Sequence, residues 1–80
     1  MEPNELIEEI GNTIRRLRAA RGFSQEAFAQ EAKLNRAYMG GVERGQRNVG
    51  VVNLYRIAEA LDMSLSELFA EVEGAKDRSK

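Results

Sequence analysis

The 80-residue sequence predicts an all-α domain of five helices. Three observations carry that expectation. Apolar residues recur at three- and four-residue intervals along most of the chain, the period of an amphipathic helix. Ser24, Asn35 and Ser64 stand just before three of those stretches, where a short oxygen-bearing side chain caps free backbone N–H groups. The third is size: a chain this short buries only about 60% of its unfolded surface, which suits one small helical core and favours pairing with a second copy.

The first helix opens at Asn4, or at Pro3 in its first turn, and runs to about Ala20. Leu6, Ile7, Ile10, Ile14 and Leu17 form its apolar stripe. Glu5, Glu8 and Glu9 lie near its positive end and Arg15, Arg16, Arg18 and Arg21 near its negative end, both favourable to the helix dipole. Gly11 weakens the interior by about 1 kcal/mol against alanine, and close packing of another helix is one reason to keep it. Gly22 supplies a left-handed stop, and Phe23 anchors the loop in the core. The second helix spans about 25–32 behind Ser24, with Phe28, Ala29 and Ala32 inward. Lys33-Leu34 makes the turn, and Lys33 is uncomfortable if that turn needs positive φ.

The third helix covers 35–44 behind Asn35, with Met39 and Val42 inward. A loop, 45–50, leads to a fourth helix from Val51 to Leu61 whose inward face is Leu54, Ile57, Ala58 and Leu61. Ser64-Leu65-Ser66-Glu67 fits a capping box for a short fifth helix, with Leu65, Leu68, Phe69 and Val72 as its apolar face and Gly74 as its end. The expected domain is therefore 1–74, with 75–80 a mobile charged tail.

Composition excludes several function classes. Cysteine and histidine are both absent, which removes disulfides, thiol nucleophiles, histidine general bases and ordinary zinc or iron sites. Ser24, Ser64, Ser66 and Thr13 have no histidine partner, and no glycine-rich phosphate loop carries a lysine, so no enzyme, metal, cofactor or small-molecule ligand is expected. No apolar run approaches the roughly 20 residues of a membrane span, and the expectation is a cytoplasmic protein. Net charge is −1, but the charge is unevenly spread. Residues 15–56 hold nine basic groups against three acids, while the flanks hold three against ten. A nucleic-acid partner needs a basic face, not a basic total.

Residues 24–44 thus read as two short helices joined by a tight turn. On the second, Arg36, Ala37, Gly40, Gly41 and Arg44 recur at i, i+1, i+4, i+5 and i+8 and face outward. Two arginines and otherwise only small residues let that face come very close to another surface. This is the outline of a helix-turn-helix whose second helix enters a DNA major groove.

Over roughly residues 10–72 the sequence also resembles the Cro/repressor-type helix-turn-helix family. The likeness is carried by Arg15-x-x-Arg18, by Arg21-Gly22-x-Ser24-Gln25-Glu26-x-x-Ala29, by Asn35-Arg36-x-Tyr38, by Glu43-Arg44-Gly45-x-Arg47-Asn48 and by Leu54-x-x-Ile57-Ala58-x-Ala60-Leu61. Leu34–Tyr38 and the run from Gly40 to Asn48 look most like the controller proteins of restriction–modification systems. The resemblance implies a lambda-repressor-like domain and a structural ion pair between Arg18 and Glu43. There are departures. Ala37 and Gly40 stand where that branch often has hydroxyl side chains, Lys33 where many relatives have glycine, and Val49-Gly50 where proline-serine often precedes the fourth helix.

Arg36, at the first turn of the third helix, is the main candidate base reader, since a guanidinium there reaches guanine O6 and N7 together; otherwise it is a solvated arginine. Ala37 either packs on a thymine methyl or is simply a good helix former. Gly40 and Gly41 each cost about 1 kcal/mol, so close approach of DNA or of a neighbouring helix is expected to repay it. Gln25, Tyr38, Arg44, Arg47 and Asn48 are the candidate phosphate and sugar contacts, with partial burial the alternative for Tyr38 and ordinary solvation for the others. Leu65, Phe69 and Val72 are candidates for a twofold interface, or else cap the core. The resulting expectation is a homodimeric, sequence-specific transcriptional regulator bound to double-stranded DNA at an inverted repeat. The alternative is a protein-interaction module on the same fold, an antitoxin-like or scaffold partner.

Overall fold

Five helices, α1 (Pro3–Ala20), α2 (Gln25–Glu31), α3 (Arg36–Glu43), α4 (Val51–Ala60) and α5 (Leu65–Arg78), make up a computed structural model that describes residues 1–78, the last four by backbone alone. Among the described residues there is no strand. The start of each helix follows from local chemistry. Ser24 Oγ accepts from the N–H of Ala27 at 3.1 Å, and Asn35 Oδ1 accepts from Ala37 and Tyr38 at 2.7 and 3.1 Å. Ser64 and Glu67 form the reciprocal box: the Glu67 N–H donates to Ser64 Oγ at 3.1 Å, and the Ser64 N–H donates to Glu67 Oε1 at 2.8 Å. Pro3 opens α1, while α4 starts at Gly50 without a side-chain cap.

One closing device ends four of the helices. A residue in the left-handed region is followed by an N–H that reaches back five residues: Phe23 to Arg18, Leu34 to Ala29, Gln46 to Gly41 and Met63 to Ala58, at 2.8–3.2 Å. The left-handed residues are Gly22, Lys33, Gly45 and Asp62, with φ of 78°, 60°, 73° and 58°. The hydrogen bond sets the backbone conformation, and Lys33 and Asp62 adopt it although glycine would do so without strain. Apolar residues just beyond the turns, Phe23, Leu34 and Met63, then pack on the core. The Phe23 ring lies against that of Phe28, with centroids 5.4 Å apart.

The core gathers Ile10, Ile14 and Leu17 from α1, Phe28 from α2, Met39 and Val42 from α3, Leu54 and Ile57 from α4, and Leu68 and Val72 from α5. α1 is the hub, packed against both α3 and α5. Thr13, on its inward side, is buried with a hydroxyl that finds no hydrogen-bond partner among the described residues.

Two expectations change at the C-terminus. Gly74 does not end the last helix: α5 runs on to Arg78. A single glycine costs a helix only about 1 kcal/mol, and the alanine and long charged side chains that follow it are adequate helix formers. Ser79 and Lys80, the end of the expected tail, lie outside the described residues. Val72, expected at a twofold surface, is fully buried within its own chain, because its place on α5 brings it to the same side as Leu68.

Gly11 marks where α1 crosses α3. A Cβ at this position would collide with the carbonyl oxygen of Val42 and crowd that of Glu43, so the two backbones are in direct contact there. Alanine is the better helix former by about 1 kcal/mol, yet Gly11→Ala is expected to destabilise the fold by about 1–3 kcal/mol because the obstacle is backbone. A rise in the thermal midpoint of this variant would contradict that packing.

Candidate nucleic-acid interface

Short helices with fixed ends turn α3 and the start of α2 toward the same side of the molecule. Gln25 and Arg36 line one shallow groove together with Ala37, Gly40 and Arg44. Arg36 projects from the first turn of α3 with its side chain 68% exposed; its nearest acid is Glu26 at 3.5 Å, itself 76% exposed. An ion pair this solvated is weak and readily gives way to another anion.

Behind the groove lies a buried polar network. Arg18 Nε donates to Glu43 Oε2 at 2.7 Å, Nη2 donates to Oε1 at 3.0 Å, and Nη1 donates to the Phe23 carbonyl at 2.8 Å. The Arg18 side chain is 14% exposed and that of Glu43 3%. The hydrogen bond to Glu43 holds the Arg18 guanidinium above its usual pKa, with burial opposing and the charge of Glu43 assisting. A raised folded value leaves the stabilisation fully present below the unfolded pKa. Arg18 therefore stays charged and paired throughout the neutral range. Gln25 joins the network through Nε2, which donates to Glu43 Oε1 at 3.2 Å. The Arg18–Glu43 pair thereby ties α1, the Phe23 loop, α2 and the end of α3 into a single unit.

The small residues of α3 are seats for arginines. A Cβ at Gly40 would stand 3.0 Å from Arg44 Nη1 and 3.4 Å from Gln25 Oε1, and a Cβ at Gly41 would stand 3.0 Å from Arg47 Cγ. Gly41 therefore lies under the Arg47 side chain, outside the groove that Arg36, Ala37 and Gly40 share. Its expected place in the same outward stripe is corrected by about one-quarter turn of helix, since residues 40 and 41 differ by roughly 100°.

On that second flank Arg47 extends over the half-buried ring of Tyr38, 5.8 Å from its centroid, and the Tyr38 hydroxyl accepts from Asn53 Nδ2 at 3.1 Å. The hydroxyl proton remains available to donate outward. Asn53 and Glu43 were not legible as partners of Tyr38 and Gln25. Both contacts join separate helices, and spacing along one helix carries no signal for them. Arg47 and Asn48 are exposed in the loop before α4. Arg16 points elsewhere, paired with Glu71 of α5 at 2.8 Å. Leu65 and Phe69 are half-buried against the core. Among the described residues no group of acids, histidines or cysteines could hold a metal ion, and no helix is long and apolar enough to cross a membrane.

Residues 14–68 match the helix-turn-helix family. The chain is 41% identical over 71 residues to control protein C.MunI of a Mycoplasma species, covering 88% of this chain and 96% of that protein. It is 37% identical over 60 residues to control protein C.BamHI of Bacillus amyloliquefaciens, covering 74% of each. The crystal structure of the restriction–modification controller protein C.AhdI from Aeromonas hydrophila superposes with a TM-score of 0.76 at 51% identity, covering 79% of this chain and 96% of that one.

The network behind the groove yields a stability test. Glu43→Ala strands the Arg18 charge and is expected to cost about 3–5 kcal/mol, whereas Arg18→Met combined with Glu43→Leu should recover a substantial part of that loss. Urea unfolding measures both. A single variant within about 1 kcal/mol of the parent would mean the pair does not hold the helices together.

Proposed function

The chain belongs to the helix-turn-helix family and is most like its restriction–modification controller proteins, and on that premise we propose that this DNA-binding transcriptional regulator acts as a homodimer on an inverted-repeat operator. One α3 enters the major groove of each half-site, with the two reading helices about 34 Å apart. The observation that carries this reading is the shared groove: the start of α2 and the outward side of α3 open on one face, with Gln25 and Arg36 both on it.

Arg36 reads guanine and Ala37 lies against a neighbouring base edge, while Arg44 and Arg47, lying across Gly40 and Gly41, keep the outer side of the helix low. Gln25 at the start of α2, the Tyr38 hydroxyl, Arg47 and Asn48 hold phosphate and sugar and set the register. The excess of positive groups between residues 15 and 56 draws the protein to DNA in the cytoplasm, while the acidic flanks keep the total near neutral.

Two copies at that spacing can meet between the half-sites, because each domain measures 33 × 22 × 20 Å. The Tyr38–Asn53 hydrogen bond places the start of α4 directly beside α3. There Val51, Val52 and Tyr55 are 67%, 62% and 52% exposed, with no use for them inside the monomer. The flank of α3 toward α2 carries Glu26 instead. The meeting surface is therefore centred on Val51, Val52 and Tyr55, with Leu65 and Phe69, more deeply set, in a lesser part.

Arg36→Ala should relax sequence preference at one base pair per half-site, by about 1–3 kcal/mol, in mobility shifts across a set of single-substitution operators. Unchanged affinity and preference would remove Arg36 from the reading role. Val52→Glu should shift sedimentation toward monomer and weaken operator binding, with the helical circular dichroism signal kept. A Val52→Glu protein as dimeric as its parent would place the twofold elsewhere.

A further inference from the structure

We propose that Arg44 is a second base-reading residue, seated on Gly40 and oriented by Gln46. The proposal rests on the DNA-binding reading above and changes one role within it: a basic residue at the end of a recognition helix is expected to meet phosphate, and Arg44 is built to do something else. Its Cα lies at the C-cap of α3, but its guanidinium turns back along the helix. Nη1 lies where a side chain of residue 40 would begin, 3.0 Å from the position of a Cβ there. This brings the charge one turn back into the groove that Arg36, Ala37 and Gln25 line, and away from the loop where Arg47 and Asn48 lie.

The orientation of the group is also set. Arg44 Nε donates to Gln46 Oε1 at 3.2 Å, which occupies one edge of the guanidinium. The Nη1–Nη2 edge is not engaged by that bond. Two parallel N–H donors on a planar group match guanine O6 and N7 in the major groove, a geometry that a point charge on phosphate does not require. On the opposite side of the seat, Gln25 Oε1 is 3.4 Å from the same Cβ position while its Nε2 is engaged with Glu43. An acceptor therefore lines the same seat as the Arg44 guanidinium.

The arrangement accounts for a glycine in the middle of an eight-residue helix. Residue 40 is kept bare because a side chain would occupy the place of the guanidinium, and the helix gives up intrinsic propensity for it. The reading face then carries two guanidiniums at different depths. Arg36 projects from the first turn beside Glu26, and Arg44 is folded beside residue 40. Each half-site is expected to contain two separate guanine requirements.

The test is a binding scan of the parent and five variants, Arg44→Ala, Arg44→Lys, Gln46→Ala, Gly40→Val and the Arg44→Ala/Gly40→Val double, against every single-base-pair substitution of an operator selected from random duplex. Arg44→Ala should erase preference at one base pair per half-site other than the one Arg36 reads, a loss of roughly 5- to 100-fold in discrimination. Arg44→Lys should fail to restore it, since an ammonium lacks the planar fork. Gly40→Val should erase the same preference in the parent and add nothing in the Arg44→Ala background, which separates loss of the seat from a collision between valine and DNA. Gln46→Ala should weaken the preference at that base pair alone. Thermal melts of each variant exclude misfolding as the cause. A uniform loss for all duplexes in Arg44→Ala, with a salt slope shallower by about one and rescue by lysine, would make Arg44 a phosphate contact and overturn the proposal. A parent that binds no duplex at any salt concentration would instead overturn the DNA-binding reading itself.

Discussion

The buried contact between Arg18 and Glu43 is where fold and interface become one problem. A charged pair this enclosed is not a source of large net stability, because removing two ions from water offsets most of their attraction. What it confers is position. Glu43 sits at the end of α3, receives two hydrogen bonds from α1 and one from Gln25 at the head of α2, and so fixes the angle between the helices that form the groove. Arg18 also holds the Phe23 carbonyl, which fixes the loop that delivers the chain to α2. An apolar pair of similar size would fill the space without specifying which side of α2 faces α3.

Glycine serves the same end at two different levels. At Gly11 the missing side chain lets α1 and α3 touch backbone to backbone, and that contact places the end of α3 within reach of Arg18. At Gly40 and Gly41 it makes room for the stems and heads of Arg44 and Arg47, which lie across the helix instead of projecting from it. The outer side of α3 is consequently low and positively charged at once. Bulky side chains would supply more contacts, but they would hold the helix away from any partner surface and push the arginines into solvent.

Apolar surface is distributed to match. α5 uses Leu68 and Val72 to close the core, with Leu65 and Phe69 half-buried beside them. The valines at the start of α4 pack on nothing internal, and the hydrogen bond between Tyr38 and Asn53 links that exposed corner to α3. Arg36 and Arg44 share the groove, whereas Arg16 is paired with Glu71 on α5 and Lys33 and Arg56 lie together with Glu31 and Glu59.

The order of the helices, their capped starts at Ser24, Asn35 and Ser64, the inward faces and the outward placement of Arg36 were all legible in the sequence. Each depends on groups within a few residues of one another, and a helical period relates such groups without knowledge of the rest of the chain. Lys33 shows the edge of that legibility: its discomfort in a left-handed turn was visible, but not that Asp62 shares it, since the closing hydrogen bonds come from the way each turn is packed. Tertiary structure alone decided that Gly11 is a crossing point, that Val72 is core, that α5 passes through Gly74, and that Gly40 and Gly41 lie beneath different arginines. Apart from α5's continuation past Gly74, which local propensity left undecided, these are facts about what one helix finds on its neighbour. The partners are separated along the chain or diverge by a fraction of a helical turn, so their energies enter only when the helices have docked.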